Sequence, residues 1–134
     1  MAKLSSIAID VQKSIDGIWC PFFAGIELKI ARANNPAYTK QLEKLEQPYL
    51  RQIRTATLDM ETRLSLNMQA AAKCILVDWK NIEDESGNEI PYSSEKALEF
   101  LKNPAYVRLN DFVMGKAYDY DLFSQEVKTE SVKN

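Results

Sequence analysis

The sequence contains no histidine among its 134 residues, and this absence limits the chemistry it can perform. Histidine is the commonest general base and metal ligand near neutral pH, so Ser-His and Cys-His catalytic arrangements are excluded. The two cysteines, Cys20 and Cys74, lack the paired spacing of a metal site, and we expect reduced thiols. With four glycines, the chain also has no glycine-rich phosphate loop. We therefore expect no enzymatic activity, no cofactor and no bound metal.

No hydrophobic run is long enough to span a membrane, and the first ten residues lack the apolar region of a signal peptide. The formal net charge is -2, which gives no electrostatic basis for binding nucleic acid or an anionic membrane. Basic residues over positions 40–54 are interleaved with glutamates, as is typical of a solvated helix face. We expect a soluble protein with neither nucleic acid nor membrane as a partner.

The N-terminal part of the chain predicts a small antiparallel β-sheet. Apolar residues alternate with other residues over positions 7–12, which favours a half-exposed strand. Asp16-Gly17 and Ala24-Gly25 are turn signals, and they flank two further apolar segments, residues 18–23 and 26–32.

Pro21 places one of these strands at an edge of the predicted sheet. Proline has no N–H to donate to a ladder, so the strand over residues 19–23 cannot be central. An edge strand is a template for pairing with another chain, and we therefore expect that the protein can form a homo-oligomer through it.

From Asn35 onward the apolar residues recur at helical spacing. Asn35-Pro36 and Asn103-Pro104 each combine an N-cap residue with a proline suited to the first helical position. The most regular apolar stripe predicts a helix over residues 58–79 with Thr57 as its N-cap. Pro48 is expected to kink an earlier helix, and Ser93 to cap a later one over residues 94–102.

These patterns predict an α+β, mostly helical fold: a small N-terminal antiparallel β-sheet followed by four or five α-helices. We expect a single globular domain over residues 1–119. Its β-hairpin region would cover about 7–33 and its helical region about 35–119. The polar and charged residues 120–134 are expected to form a mobile C-terminal tail.

The acidic segment over residues 83–89 does not match a calcium-binding loop. When Gly87 is aligned with the invariant glycine of such a loop, Ile82 takes the place of the first carboxylate ligand. Ser93 then stands where the bidentate glutamate belongs. A solvated turn is the better interpretation.

Aromatic and large apolar residues give the strongest signal of a binding function. Phe22 and Phe23 crowd the predicted edge strand, whereas Tyr120, Leu122 and Phe123 lie in an otherwise polar C-terminal segment. Packing in the core is the alternative for each of them. Apolar residues in polar terminal segments often fold onto a partner, so these five are our candidate partner-binding residues.

The order and spacing of several segments resemble those of the tail assembly chaperones of long-tailed bacteriophages and their prophages. The likeness runs from about residue 28 to residue 123. It comprises Leu-Lys-Ile-Ala-Arg-Ala-Asn-Asn-Pro-Ala-Tyr at 28–38, residues 45–54 around Pro48-Tyr49, Leu-Val-Asp-Trp at 76–79, the turn at 84–87, Ile-Pro-Tyr-Ser at 90–93, Ala97-Leu98 and the helix around Phe112-Val113.

The resemblance implies a non-catalytic protein made in the cytoplasm of the bacterial host. Such chaperones bind the tape measure protein, keep its apolar helical stretches soluble and help to recruit the tail-tube protein around it. They are absent from the mature virion. The alternative is a structural virion protein, such as a head–tail connector or tail-completion protein, which would share this size and helical content.

Overall fold

The computed structural model describes residues 1–125, in which three strands form one antiparallel sheet of order β1-β2-β3. The strands are β1 (Ile18–Phe23), β2 (Ile26–Ile30) and β3 (Leu76–Lys80). The α-helices of this part are α1 (Val11–Asp16), α2 (Pro36–Glu46), α3 (Leu50–Arg54), α4 (Met60–Cys74), α5 (Ser94–Lys102) and α6 (Val107–Ala117). Short 3₁₀ helices cover Leu4–Ile7, Gln47–Tyr49, Pro104–Tyr106 and Tyr120–Phe123.

The hairpin of β1 and β2 turns at Ala24-Gly25, as predicted. Both residues have positive φ, 52° and 86°, which is the geometry that matches the right-handed twist of a two-residue hairpin. Cys20 lies opposite Leu28, which in turn lies opposite Trp79 of β3. These three side chains are buried and form the inner face of the sheet.

The helix predicted over residues 58–79 is corrected at both ends. It is α4, which begins after Asp59 rather than Thr57, because the Asp59 carboxylate accepts from the Thr62 N–H at 3.0 Å. It ends at Cys74, and residues 76–80 form β3 instead. In the sequence, Leu76 and Trp79 fit the apolar stripe of a helix as well as they fit a strand. Pairing with β2 buries both and supplies ladder hydrogen bonds, so tertiary context outweighs the periodicity.

The strand predicted over residues 7–12 is wrong. Asp10 accepts from the Lys13 N–H at 3.0 Å and starts α1, so the chain is helical on both sides of Ile9. Ile9 alone forms an isolated antiparallel bridge, with Ser124. The fold is broadly α+β as expected. The sheet is not purely N-terminal, however, because its third strand follows α4.

Apart from the cap at Thr57, the predicted caps and breaks of the helical region are confirmed. Asn35 caps α2, Ser93 caps α5 by accepting from the Lys96 N–H at 3.1 Å, and Pro48 lies in the 3₁₀ turn that separates α2 from α3. The helix predicted to begin at Asn103-Pro104 starts as a 3₁₀ turn after Asn103 and continues as α6.

A five-residue link over residues 31–35 connects the sheet to the helices through its backbone. The N–H of Ala31 donates to Ile75 at 2.8 Å, that of Arg32 to Ser14 at 2.9 Å, and that of Ala33 to Ala117 at 2.9 Å. The link therefore joins the ends of α1, α4 and α6 in one place.

Asn35 completes this link with a fully buried side chain. Its Nδ2 donates to the carbonyl oxygens of Arg32 at 2.8 Å and Cys74 at 3.0 Å, and its Oδ1 accepts from the Tyr38 N–H at 2.9 Å. One side chain thus caps the start of α2 and binds the end of α4.

The segment after β3 is held by an aromatic cluster. Trp79 Nε1 donates to the Ile90 carbonyl at 2.8 Å, and its ring lies 5.0 Å from that of Tyr92 and 5.4 Å from that of Phe100. The Tyr92 hydroxyl lies 2.9 Å from the Ala72 carbonyl and 2.7 Å from that of Leu76 and can donate to either. The cluster fixes α5 against α4 and β3.

The folded part of the chain continues past the boundary that we expected at residue 119. Phe123 has no exposed surface, and the chain is hydrogen-bonded to the N-terminal segment as far as Gln125. The rest of the predicted tail, residues 126–134, lies outside the described residues. Over residues 1–125, no helix is both long and apolar enough to cross a membrane.

Replacing Asn35 by alanine should lower the free energy of unfolding by about 2–4 kcal/mol. The substitution removes a helix cap, worth about 1 kcal/mol, and leaves buried backbone groups unpaired at about 1–3 kcal/mol. Asn103→Ala is the matched control, because Asn103 starts the same Asn-Pro-Ala-Tyr sequence but makes one cap bond, to Ala105, outside the core. We expect it to cost about 1 kcal/mol or less in urea unfolding. Equal losses would contradict a special role for Asn35.

Burial, with a smaller contribution from nearby Asp78, raises the pKa of Tyr92 from 10.0 to about 12. Below pH 10 the phenol is neutral in the folded and unfolded states; above it, the unfolded state ionises first. The stabilisation by Tyr92 should therefore be lost as the pH rises toward 12. Urea unfolding at about pH 8 and about pH 11 should show a larger pH-dependent loss in the wild type than in Tyr92→Phe. Identical losses would refute this assignment.

Candidate interaction surface

Phe22 and Phe23 lie at the end of β1 and differ in exposure. Phe22 is half-buried, with its ring 4.7 Å from that of Phe112 on α6. Phe23 exposes 61% of its surface and meets Phe22 edge-on at 6.0 Å. Phe22 thus holds the strand against α6, whereas Phe23 is available for contacts with another molecule.

Tyr120, Leu122 and Phe123 belong to one short 3₁₀ helix, but they point to different surroundings. Asp119 caps this helix by accepting from the Asp121 N–H at 3.2 Å. Phe123 is fully buried, Leu122 is half-buried against the core, and Tyr120 exposes 54% of its surface. The Phe123 side chain therefore packs in the core, where a partner cannot contact it. The binding role of the other predicted residues stays a prediction.

The two terminal segments pair with each other around Ile9 and Ser124. The Asp10 N–H donates to the Phe123 carbonyl at 2.8 Å, and the Gln125 N–H donates to the Ala8 carbonyl at 2.9 Å. Because residues 8–10 and 123–125 hold each other, the side chains on either side of the bridge keep a defined arrangement.

Exposed apolar residues flank this pairing in the sequence. We call Leu4, Ile7, Val11 and Tyr120 the terminal patch; their exposed fractions are 82%, 74%, 60% and 54%. Leu4 and Ile7 share one side of their 3₁₀ helix, since residues three apart eclipse each other. Ile7 and Tyr120 line a common cavity. Sequence reasoning missed Leu4 and misassigned Ile7 and Val11 to a strand, although Asp10 is a recognisable N-cap.

The cavity beside the terminal patch has a volume of about 550 Å³. Its lining combines apolar and polar groups: Ser6, Ile7, Ala8, Ile9, Arg32, Tyr120, Asp121 and Ser124. Arg32 donates from Nη1 to the Ala33 carbonyl at 2.9 Å. Its Nε is buried and has no hydrogen-bond acceptor among the described residues.

The edge position predicted for Pro21 is confirmed, because β1 pairs only with β2 within the three-stranded sheet. On the outer face of the sheet, Trp19 lies beneath two ammonium groups. Lys80 Nζ is 4.1 Å and Lys29 Nζ 5.8 Å from the ring centroid, within the range of cation–π attraction. These lysines put positive charge next to the exposed edge. Self-association through this edge stays a prediction.

Burial protects the two thiols from ionising, and the acidic turn is closed by one of its own carboxylates. Cys20 and Cys74 are both free thiols, and burial raises the pKa of each, which favours the unreactive protonated form. The Asp84 carboxylate closes the predicted turn by accepting from the N–H groups of Ser86 and Asn88, both at 2.9 Å. Residues 1–125 contain no cluster of three or more potential metal ligands.

The chain matches the family model described as YdaY prophage protein over residues 33–134, so it belongs to that family. This confirms the phage or prophage origin implied by the resemblance. The narrower assignment to tail assembly chaperones stays a prediction. No curated protein and no solved structure matches the chain.

Phe123→Ala should separate a role in folding from a role in binding. Removing a fully buried phenylalanine costs about 3–5 kcal/mol, so we expect a loss of this size in urea unfolding. Tyr120→Ala, in the same 3₁₀ helix but largely exposed, should change stability by about 0.5 kcal/mol or less. Similar losses for both variants would contradict the burial assigned to Phe123.

Proposed function

We propose that this prophage protein is a tail assembly chaperone that binds the tape measure protein and promotes assembly of the tail-tube protein around it. The resemblance over residues 28–123 supports this proposal, and so does membership of a prophage protein family. The action is binding alone, and it takes place in the cytoplasm of the bacterial host. The protein would leave before the virion is complete.

The observation that carries the proposal is the terminal patch. A chaperone for apolar helical stretches needs apolar side chains that remain exposed in its own folded state. Leu4, Ile7, Val11 and Tyr120 meet this requirement, because the bridge between Ile9 and Ser124 holds their segments in place. Burying a large apolar side chain contributes about 1.5–3 kcal/mol, and this gain has to exceed the cost of association, which favours weak and reversible binding.

Phe23 offers a second exposed aromatic at the end of β1. The neighbouring edge of β1 is the surface through which we propose that two copies associate. Such a dimer would present two terminal patches to one tape measure protein, which raises avidity without any new kind of contact.

Co-expression with the cognate tape measure protein tests the proposal directly. We expect the chain to increase the soluble fraction of that protein and to co-purify with it. The double variant Leu4→Ser and Ile7→Ser should lose at least about tenfold in affinity, because two exposed leucine-sized contacts are removed. The control is Met60→Ser with Leu64→Ser, which alters two exposed apolar residues on α4.

An unchanged soluble fraction together with no complex would refute the chaperone proposal. Equal losses in both double variants would instead refute the assignment of the terminal patch. Mass spectrometry of purified particles addresses the alternative: a chaperone should be absent from them, whereas a head–tail connector or tail-completion protein should be present.

A further inference from the structure

The two edges of the three-stranded sheet differ in how far their backbone groups are occupied. At the edge formed by β3, the Trp79 N–H donates to the Asp78 carboxylate at 2.8 Å, and the Leu76 carbonyl lies 2.7 Å from the Tyr92 hydroxyl. The indole Nε1 of Trp79 also holds the Ile90 carbonyl beside this strand, at 2.8 Å. The β3 edge therefore has little left to offer a further strand, and the β1 edge is the candidate for pairing.

The register of the sheet fixes which backbone groups of β1 point outward. Trp79 lies opposite Leu28, yet its N–H is bonded to a side chain, so Leu28 directs its own backbone groups toward β1. There Leu28 lies opposite Cys20. Because hydrogen-bonding direction alternates along an antiparallel strand, Trp19 and Pro21 direct their backbone groups away from β2. Proline is tolerated on that outward side, which agrees with this assignment.

The β1 edge is apolar and has little protection against pairing. Its six residues, Ile-Trp-Cys-Pro-Phe-Phe, carry no charge. Edge strands of natural proteins are usually blunted by charged side chains, prolines or bulges. Here Pro21 and the register shift between Pro21 and Phe23 are the protective features of the strand itself. The edge thus remains open to one further strand that does not need a donor from Pro21.

A second copy of β1 meets that requirement when the two strands pair antiparallel about a two-fold axis. If Trp19 of one copy lies opposite Pro21 of the other, the Trp19 N–H meets the Pro21 carbonyl, and symmetry repeats this bond. The missing N–H of Pro21 then leaves the Trp19 carbonyl to water. On the outer face, each indole ring packs against the proline of the other copy.

Charges on the outer face of the sheet favour this register over the pairing of Trp19 with itself. The ammonium groups of Lys80 and Lys29 lie 4.1 and 5.8 Å from the Trp19 ring centroid, and Glu27 lies opposite Pro21. Glu27 forms no ion pair within residues 1–125. With Trp19 opposite Pro21, the lysines of one copy approach Glu27 of the other. With Trp19 opposite itself, the lysines of both copies would meet and repel each other.

We propose that two copies pair through β1 about a two-fold axis, with Trp19 opposite Pro21 of the second copy, and form one continuous sheet. This proposal rests on the self-association proposed above and defines its geometry. Because the β3 edge is occupied, the sheet does not extend further, and association stops at the dimer. One pair of short strands buries less than the roughly 1,200–2,000 Å² of a stable interface, so we expect a dissociation constant on the order of 10–100 µM.

The test compares Pro21→Glu with Pro21→Lys in the full chain by sedimentation equilibrium. Both variants gain an N–H, and they differ in the charge placed beside the lysines of the second copy. We expect the dimer of Pro21→Glu to be at least about tenfold tighter than that of Pro21→Lys. The formal net charge becomes -3 with glutamate (-2 - 1) and -1 with lysine (-2 + 1), so general repulsion between copies predicts the opposite order.

The matched control makes the same two changes at Pro48. This proline is also exposed, but it lies in the 3₁₀ turn between α2 and α3, outside the sheet. Pro48→Glu and Pro48→Lys should dimerise like the wild type, within about twofold. A difference between them as large as that between the Pro21 variants would contradict a local effect at β1.

Hydrogen exchange of the unmodified chain supplies a measurement that does not depend on the folding of any variant. At about 1 mM most copies are paired, whereas at about 10 µM most or about half are free. The Trp19 N–H should therefore exchange about fivefold more slowly at the higher concentration. The Trp79 N–H, which is bonded to Asp78 within one copy, should exchange at the same rate in both. An unchanged rate at Trp19 would contradict the pairing.

Three results of the sedimentation experiment would overturn the inference. The first is a wild-type chain that stays monomeric at about 1 mM. The second is an equal dissociation constant for Pro21→Glu and Pro21→Lys, which would refute the register. The third is an equilibrium population larger than the dimer, which would refute the closed β3 edge. The tape measure protein is absent from these measurements, so their failure and the failure of the chaperone proposal are distinguishable.

Discussion

The fold depends above all on the buried side chain of Asn35 and the five-residue link that it closes. A buried amide is tolerated only when its donors and acceptor are paired, and here the pairing spans the start of α2 and the end of α4. The same link donates backbone hydrogen bonds to α1 and α6 and to the residue before β3. Sheet and helices are therefore coupled through one short stretch of chain, and moving it would unpair buried groups in several elements at once.

The second constraint is the pairing of the two terminal segments, which produces the candidate site. Residues 8–10 and 123–125 exchange backbone hydrogen bonds, and Phe123 anchors the C-terminal side in the core. The apolar side chains that remain outside, Ile7 and Tyr120 among them, are held beside the cavity that contains Arg32. The same contacts thus stabilise the fold and position the side chains of the candidate binding surface.

This arrangement is consistent with a protein that acts by binding. The carboxylate of Asp84 and the two thiols are occupied in a turn or shielded by burial, and both cysteine pKa values are raised. The exposed features are instead apolar side chains and a sheet edge carrying Phe23. Membership of the YdaY prophage protein family gives the chain a phage or prophage origin, and the proposed chaperone role assigns a use to these surfaces.

Local signals in the sequence determined the features that depend on a few neighbouring residues. The caps at Asn35 and Ser93, the break at Pro48 and the hairpin turn at Ala24-Gly25 were all predictable, because each rests on one side chain bonding to nearby backbone or on one backbone geometry. The edge position of the strand with Pro21 follows from its missing N–H.

Where the local sequence favours helix and strand about equally, only the tertiary structure determined which of the two forms. The apolar pattern of residues 76–80 is compatible with a helix and with a strand. Pairing with β2 stabilises the strand. Phe123 was predicted to bind a partner because it lies in a polar segment of the sequence. In the structure it is buried in the core, next to the bridge between Ser124 and Ile9. The terminal patch and the Arg32 cavity join residues more than 100 positions apart, and no local pattern encodes such a contact.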